Sequence, residues 1–493
     1  MLPEVTIDLT ALNISSLIPM LWTLGAGLFI LIIDLFKRLS KTFYVPVTVM
    51  ALLASLASII GYDAPAEGFF GLIQNDGMAL LAQGIIVVSS MLFIPLALTS
   101  QRFHEFEFAE FFALFLIMVS GFQFMVSSEN LILIFVALET SSMALYTLIA
   151  LHNRDRSLEA AIKYFVMGSL AAGFFAMGSA ILYLLGASTD ISIIQANLAH
   201  HRFDNMLLIL LGLAFIVSAL GFKLSIVPFH TWTPDVYEGA SAPLAGYMSI
   251  VPKVAGFVVA IRLFEPFVVM NLDWIKEILI IAAIASMTIG NVLALVQESV
   301  KRMLAYSSVS HAGFVMTALL VATEQSNAAL FLYWILFLFA NLGAFTMLWI
   351  SRHKQKRFHD RYDHPYSKFS GMILVAPVGA IMMTIFMLSL AGIPPFGLFF
   401  GKMYLISAVV NSGHIGLAII MVLNSAIALY YYLKLVVYMF LKSPRDNDGT
   451  IYTKNITIPF KTIIGLAAAA STLAIFGIDE ALTLIKTYLA SSL

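Results

Sequence analysis

The chain has 493 residues, 60% of them hydrophobic and 11% charged, whereas a soluble globular chain carries about a quarter charged residues; a soluble domain is excluded. A net charge of −1 leaves no basic excess for nucleic acid or a strongly anionic surface. Cysteine is absent, which rules out disulfides, thiolate chemistry, Cys-ligated zinc and iron–sulfur clusters.

A membrane-spanning helix needs ~20 apolar residues, and such stretches recur from Leu12 to Phe476. The first, 14–36, follows Glu4 and Asp8 rather than a basic segment and shows no small-residue cleavage site, so it reads as a retained helix. Further spans are predicted at 43–61, 76–99, 107–126, 129–150, 159–186, 206–233, 241–265, 273–296, 301–322, 327–351, 371–408, 414–441 and 458–478. The predicted fold is an all-α, polytopic transmembrane bundle of about fourteen spans forming a single membrane domain over 1–493. Two spans are too interrupted for straight helices. The seventh ends in Pro228 and Pro234, and the twelfth contains Gly392, Pro394, Pro395 and Gly397. They lie five helices apart, as in a duplicated five-helix unit, and an odd number of helices per unit inverts the copies in the membrane. This predicts inverted repeats over 107–265 and 273–441.

Loops after odd-numbered spans hold nearly all lysines and arginines outside the spans, the densest run being Arg352 to Lys368; loops after even-numbered spans hold only Arg202 and Lys276. The positive-inside rule puts the odd loops in the cytoplasm and both termini outside.

Five lysines remain within spans, Lys163, Lys223, Lys253, Lys402 and Lys434, with Arg262 near a helix end and Glu139 the one comparably central carboxylate. An ionised side chain at a helix centre costs about 2.5–3.5 kcal/mol on insertion scales, so these groups must face protein or water. Glu139 and Lys253 are too deep to snorkel, and Lys223 and Lys402 stand beside the expected breaks. Those four are the leading relay candidates. Lys163 and Lys434 lie nearer the membrane edge, where a snorkelling or ion-paired role competes evenly. Desolvation draws a lysine's proton affinity down and a nearby carboxylate restores it, so a series of such groups can pass protons. His230 and His311 could add near-neutral sites, and Ser307, Ser308 and Ser310 supply hydroxyls. A lone buried histidine is as often a packing residue. No phosphate-binding loop or H-E-x-x-H motif occurs. The other eight histidines fall in loops or at span ends, which argues against a bis-histidine haem. The expectation is no cofactor or metal.

The segment GFKLSIVPFHTWTPDVYEGASAP, Gly221 to Pro243, closely resembles the signature of the antiporter-like, proton-pumping subunit family of respiratory complex I. The segments ALETSSMALY around Glu139, RSLEAAIKYF around Lys163, QESVKRMLAYSSVSHAGF through His311 and LSLAGIPPFGLFFGKMYL through Lys402 extend the likeness from about Ser128 to Phe440. One departure is Ser241, where the family often has proline. The chain ends after the fourteenth span, as N-type members do, without the lateral helix of the family's largest member. The resemblance implies a non-redox, proton-translocating subunit of NADH-quinone oxidoreductase in a bacterial inner membrane, partnered by other membrane-arm subunits. It further implies that Glu139 and Lys223 form the buried pair of one half-channel, Lys253 the central relay and Lys402 the exit-side group. Lys163 matches a position near the pair, and His311 a bridging site. The competing readings are a cation/proton antiporter subunit and a membrane-bound hydrogenase-type complex.

Overall fold

A computed structural model describes residues 12–62, 66–99, 104–200, 206–269, 273–353, 364–443, 451–453 and 457–492. The first half comprises α1 (Ile18–Phe36), α2 (Lys41–Ile60), the ribbon β1 (Ala66–Gly68) and β2 (Ile73–Asn75), α3 (Gly77–Phe93), α4 (Ala109–Val126), α5 (Leu131–Ala150), α6 (Asp155–Gly186), α7 (Ile191–His200), α8 (Met206–Leu224), α9 (Trp232–Gly239), α10 (Ala242–Met248) and α11 (Val251–Val269). The second half adds α12 (Asp273–Leu295), α13 (Val300–Val321), α14 (Glu324–Met347), β3 (Ser351–His353), α15 (Met372–Val375), α16 (Pro377–Ala391), α17 (Gly397–Asn411), α18 (Ile415–Leu441), β4 (Ile451–Thr453), α19 (Ile458–Leu473) and α20 (Ile478–Leu489).

Thirteen helical segments among the described residues are long and apolar enough to cross a membrane. The shorter α16 and α17 supply the remaining span as two halves. Burial sorts the helices into layers. The α10–α11 segment is enclosed on every side, α13 and α14 nearly so, while α1, α6, α12 and α19 turn much of their surface outward. Outward positions on α6, such as Phe165, Val166 and Leu170, are exposed and apolar, as lipid or a neighbouring membrane protein requires.

Both expected breaks occur. Between α8 and α9 the chain leaves the helix at Ser225, whose φ is +60°; the Phe222 carbonyl there accepts from Ser225 N–H at 3.1 Å and from Trp232 Nε1 at 3.0 Å. Between α16 and α17, Gly392 adopts φ +80°. A Cβ there would stand 2.8 Å from Lys402 Cδ, so the position demands glycine on both counts. A third break was not expected. The eighth span divides into α10 and α11 because Pro252 has no N–H to give the Met248 carbonyl.

Loop pairings report sidedness. Asn130 bridges Asp190, joining loops after the fourth and sixth spans; Ser299 bridges Pro365, joining loops after the ninth and eleventh; and β3 pairs with β4, joining loops after the eleventh and thirteenth. Odd loops meet odd loops, and even meet even. Leu12 accepts from Phe69 N, and Gly77 abuts the Tyr488 carbonyl, so both ends of the described chain lie on the even side. Three features went unanticipated: the two ribbons, and α20 following the last span. Within the basic run, residues 354–363, including Lys356, lie outside the described residues. Lys368, expected in a solvated loop, is buried against His364 Nδ1 at 3.0 Å.

Candidate functional site

Five elements deliver the central residues to one row. Lys223 ends α8, and the break just after it lets its stem lie against Gly256 of α11. Its ammonium is buried, donates to Ser142 Oγ of α5 at 2.8 Å and sits 5.3 Å from the Phe122 ring centroid. Glu139 is one turn before Ser142 on the same helix, half-buried, with Oε1 enclosed and, among the described residues, without a hydrogen-bond partner. The two charges are close enough to act on each other, but they do not form a contact ion pair. The pair that the resemblance implied acts through space: Ser142 holds the ammonium, and Glu139 is its neighbour at one remove. An i, i+3 spacing puts a hydroxyl and a carboxylate side by side on a helix, and Lys223 approached the hydroxyl.

Lys253 occupies the first turn of α11 and is buried. Its Nζ donates to both the carbonyl and Oγ of Ser308 on α13, each at 2.6 Å. A cation at a helix start opposes the helix dipole, and among the described residues these two oxygens are the hydrogen-bond acceptors that hold it. His311 lies one turn along α13 from Ser308. Its Nδ1 meets Tyr333 Oη at 2.5 Å and its Nε2 meets Tyr432 Oη at 3.0 Å, and both Lys253 and Lys402 act on it electrostatically. Lys402, on α17, reaches back across the break to donate to the Leu390 and Ala391 carbonyls at 3.2 and 3.0 Å, and lies 5.8 Å from the Phe314 ring centroid. Those carbonyls end α16, where the dipole is negative and favours an ammonium. The row therefore reads Glu139, Ser142, Lys223, then Lys253, Ser308, His311 and Lys402. Each central lysine stands at a helix break.

Three sequence candidates stand apart. Lys163 is exposed, paired with Glu159 at 2.7 Å and Asp235 at 3.1 Å. Together with Arg302, which holds Asp235 at 2.8 Å and Glu238 at 3.0 Å, it lines a cavity of about 290 Å³ on the odd side. Burial alone pushes the Asp235 carboxyl up, but hydrogen bonds from Arg302 and Lys163 outweigh it and hold it below the usual range. His230 lies in the α8–α9 turn, its Nδ1 buried. Lys434 donates to the Gln297 carbonyl at 3.3 Å and covers the Tyr366 ring at 4.4 Å.

Sequence reasoning missed a second charge cluster, on the even side. Arg262 is buried between Asp76 and Glu129, 2.8 Å from each, and with Glu265 and Asn327 it lines a cavity of about 230 Å³. Only its place near a helix end was legible, because its partners are more than a hundred residues away. The adapters Ser142 and Ser308 were missed as well. Ser308 lay in a run noted only for its hydroxyls.

The comparisons with known proteins now bear on this geometry. Residues 128–428, which contain the row, match the model of the NADH:quinone oxidoreductase/Mrp antiporter transmembrane family. The chain belongs to that family. It is 54% identical to NADH-quinone oxidoreductase subunit N of Sulfurimonas denitrificans, each covered over 100% of its length. A subunit of respiratory complex I from Thermus thermophilus superposes with a TM-score of 0.79 at 28% identity, covering 94% of this chain and 98% of that one. The Mrp complex from Dietzia sp. contains a chain of the same fold, TM-score 0.80, at 18% identity with 97% of this chain and 96% of that chain covered. Fold alone therefore fails to separate the two branches; sequence identity separates them.

Proposed function

We propose that the chain is the proton-translocating membrane-arm subunit N of a bacterial NADH-quinone oxidoreductase, taking part in a translocase whose electron transfer occurs in other subunits. Full-length identity to subunit N supports the assignment. The observation that carries the mechanism is the buried row of lysines at helix breaks, each held by neutral oxygens rather than by a contact carboxylate. An ammonium held this way can give up its proton without stranding a paired anion.

In this reading the proton passes along Glu139, Lys223, Lys253, His311 and Lys402. Glu139 modulates Lys223 from one turn away, Ser142 and Ser308 orient the lysines, and His311 bridges the last two. Lys163 with Asp235 and Arg302 gathers protons at the odd-side surface, while His230 and Lys434 stay peripheral. The odd side faces the cytoplasm of a bacterial inner membrane, so both termini are periplasmic. Residues 107–265 and 273–441 are inverted repeats; the matched breaks that present Lys223 and Lys402 support this. The chain is expected to hold no redox group, since it lacks the cysteines for an iron–sulfur cluster and its sequence offers no convergent histidine set for haem, and a stoichiometric chromophore in the purified subunit would refute that.

The deciding experiment uses inverted membrane vesicles carrying the assembled complex. Lys253→Ala is expected to assemble but to pump fewer protons per NADH, and an unchanged proton-to-electron ratio would overturn the relay. The antiporter alternative predicts instead that the chain copurifies without iron–sulfur and flavin subunits.

A further inference from the structure

A cavity of about 520 Å³ shares no residue with the charged row and lies at the odd-side ends of α14, α16 and α19. Pro377 shapes one wall. A residue before proline is kept out of the helical region, and Ala376 accordingly has φ −145° and ψ 71°, which bends α15 away from the line of α16. The lining is apolar, formed by residues such as Met347, Ile350, Met382 and Ile464. Val375 and Val378 on its rim are exposed, and α19 turns much of its surface outward, so the cavity belongs to the outer layer of the bundle.

Among the residues that line it, Lys461 alone is charged. It stands in the first turn of α19, a turn that holds no acidic residue; it is exposed, and among the described residues it makes no ion pair. A lysine one turn inside the end of a span carries its ammonium to the level of the lipid headgroups. The cavity holds about one turn of a helix about 10 Å across with a pitch of about 5.4 Å. That is too little to seat a neighbouring span, whereas a single acyl chain is thin and flexible enough to fill it. Basic pockets between membrane helices on the side of the basic loops select anionic headgroups.

We propose that this cavity is a binding site for an anionic phospholipid, one acyl chain lying between α16 and α19 and the phosphate against the Lys461 ammonium. A zwitterionic headgroup carries its own cation beside the phosphate and gains less from Lys461. The α16 helix that forms one wall ends in the Leu390 and Ala391 carbonyls that hold Lys402, so the lipid packs against the element that positions that lysine. The site is independent of the relay reading, since it shares no residue with it.

The test reconstitutes the intact complex in vesicles of equal parts phosphatidylglycerol and phosphatidylcholine, one or the other carrying a photoreactive diazirine in its acyl chain, and maps the labelled peptides by mass spectrometry. Labelling at 347–350, 377–382 and 464–465 is expected to be about fivefold stronger from phosphatidylglycerol, the preference that one lysine near a membrane surface confers. Lys461→Glu should abolish that preference. Gly465→Phe, at a position where an added Cβ meets no atom within 4 Å, should fold, fill the cavity and remove labelling by both lipids. Equal labelling of the native complex by the two lipids overturns the proposal; so does no labelling by either, the result expected if a neighbouring subunit covers the cavity. Both outcomes are read without any variant. A preference unchanged in an assembled Lys461→Glu complex, or labelling retained in an assembled Gly465→Phe complex, overturns it as well.

Discussion

At the scale of single residues, Ser142 has a larger role than its size suggests. Among the described residues it is the one hydrogen-bond partner of the Lys223 ammonium, with Glu139 too distant for a contact pair. Removing an acceptor from a buried ammonium costs about 1.5–3 kcal/mol, or roughly ten- to a hundredfold in an equilibrium. Ser142→Ala should therefore lower proton pumping by about tenfold or more while leaving assembly intact. Glu139→Gln removes the longer-range charge and keeps the shape, and it should reduce pumping less than Lys223→Ala does. Proton uptake by vesicles, normalised to NADH oxidation, checks both. Equal losses for Glu139→Gln and Lys223→Ala, with Ser142→Ala at native activity, would restore a direct Glu139–Lys223 pair in place of the serine adapter.

At the scale of elements, the helix breaks are where backbone geometry and charge meet. Gly392→Ala forces a Cβ into the left-handed region, about 1–2 kcal/mol, and against the Lys402 stem. Lower thermal stability of the assembled complex should accompany reduced pumping; a variant native in both would show that Lys402 does not depend on the break. The α9 element responds to pH. The Asp235 carboxyl is held low, so its contribution is fully present above its unfolded value of about 3.9 and is lost as pH falls through the lower folded value. Hydrogen-exchange protection at 232–239, corrected for the intrinsic pH dependence of exchange, should thus hold at neutral pH and fall below about pH 4, and Arg302→Ala should lower the protection at neutral pH and shrink that acid-dependent fall.

At the scale of the whole molecule, the even-side cluster ties α3, α5 and α11 together. Arg262→Ala strands Asp76 and Glu129, and breaking a buried ion pair costs about 3–5 kcal/mol; loss of assembly, seen as absence of the subunit from the purified complex, is expected, whereas Lys163→Ala at the exposed cluster should assemble normally. Orientation is tested by cysteine accessibility in intact cells. A cysteine at Lys276, on the even side, should react with an impermeant reagent from outside, and one at Lys356 should not. The reverse pattern would invert the topology.

The spans, their number and the two sides of the membrane were legible in the sequence, because the apolar length of each span and the sorting of lysine and arginine between loops are properties of contiguous residues. Lys223, Lys253 and Lys402 were legible for a related reason: a lysine within an apolar run is anomalous without reference to any partner. The break at Pro252 was written in the sequence as well, but its surroundings gave no turn signal beyond that one residue. What each charge touches was decided by tertiary structure alone. Ser142 and Glu139 present equally plausible acceptors one turn apart, and only the approach of α8 to α5 selects the hydroxyl. Arg262 and Asp76 are neighbours only because α3 and α11 pack side by side. A hydrogen bond is settled by distances of tenths of an ångström between helices far apart in the chain, and no local pattern of residues carries that information.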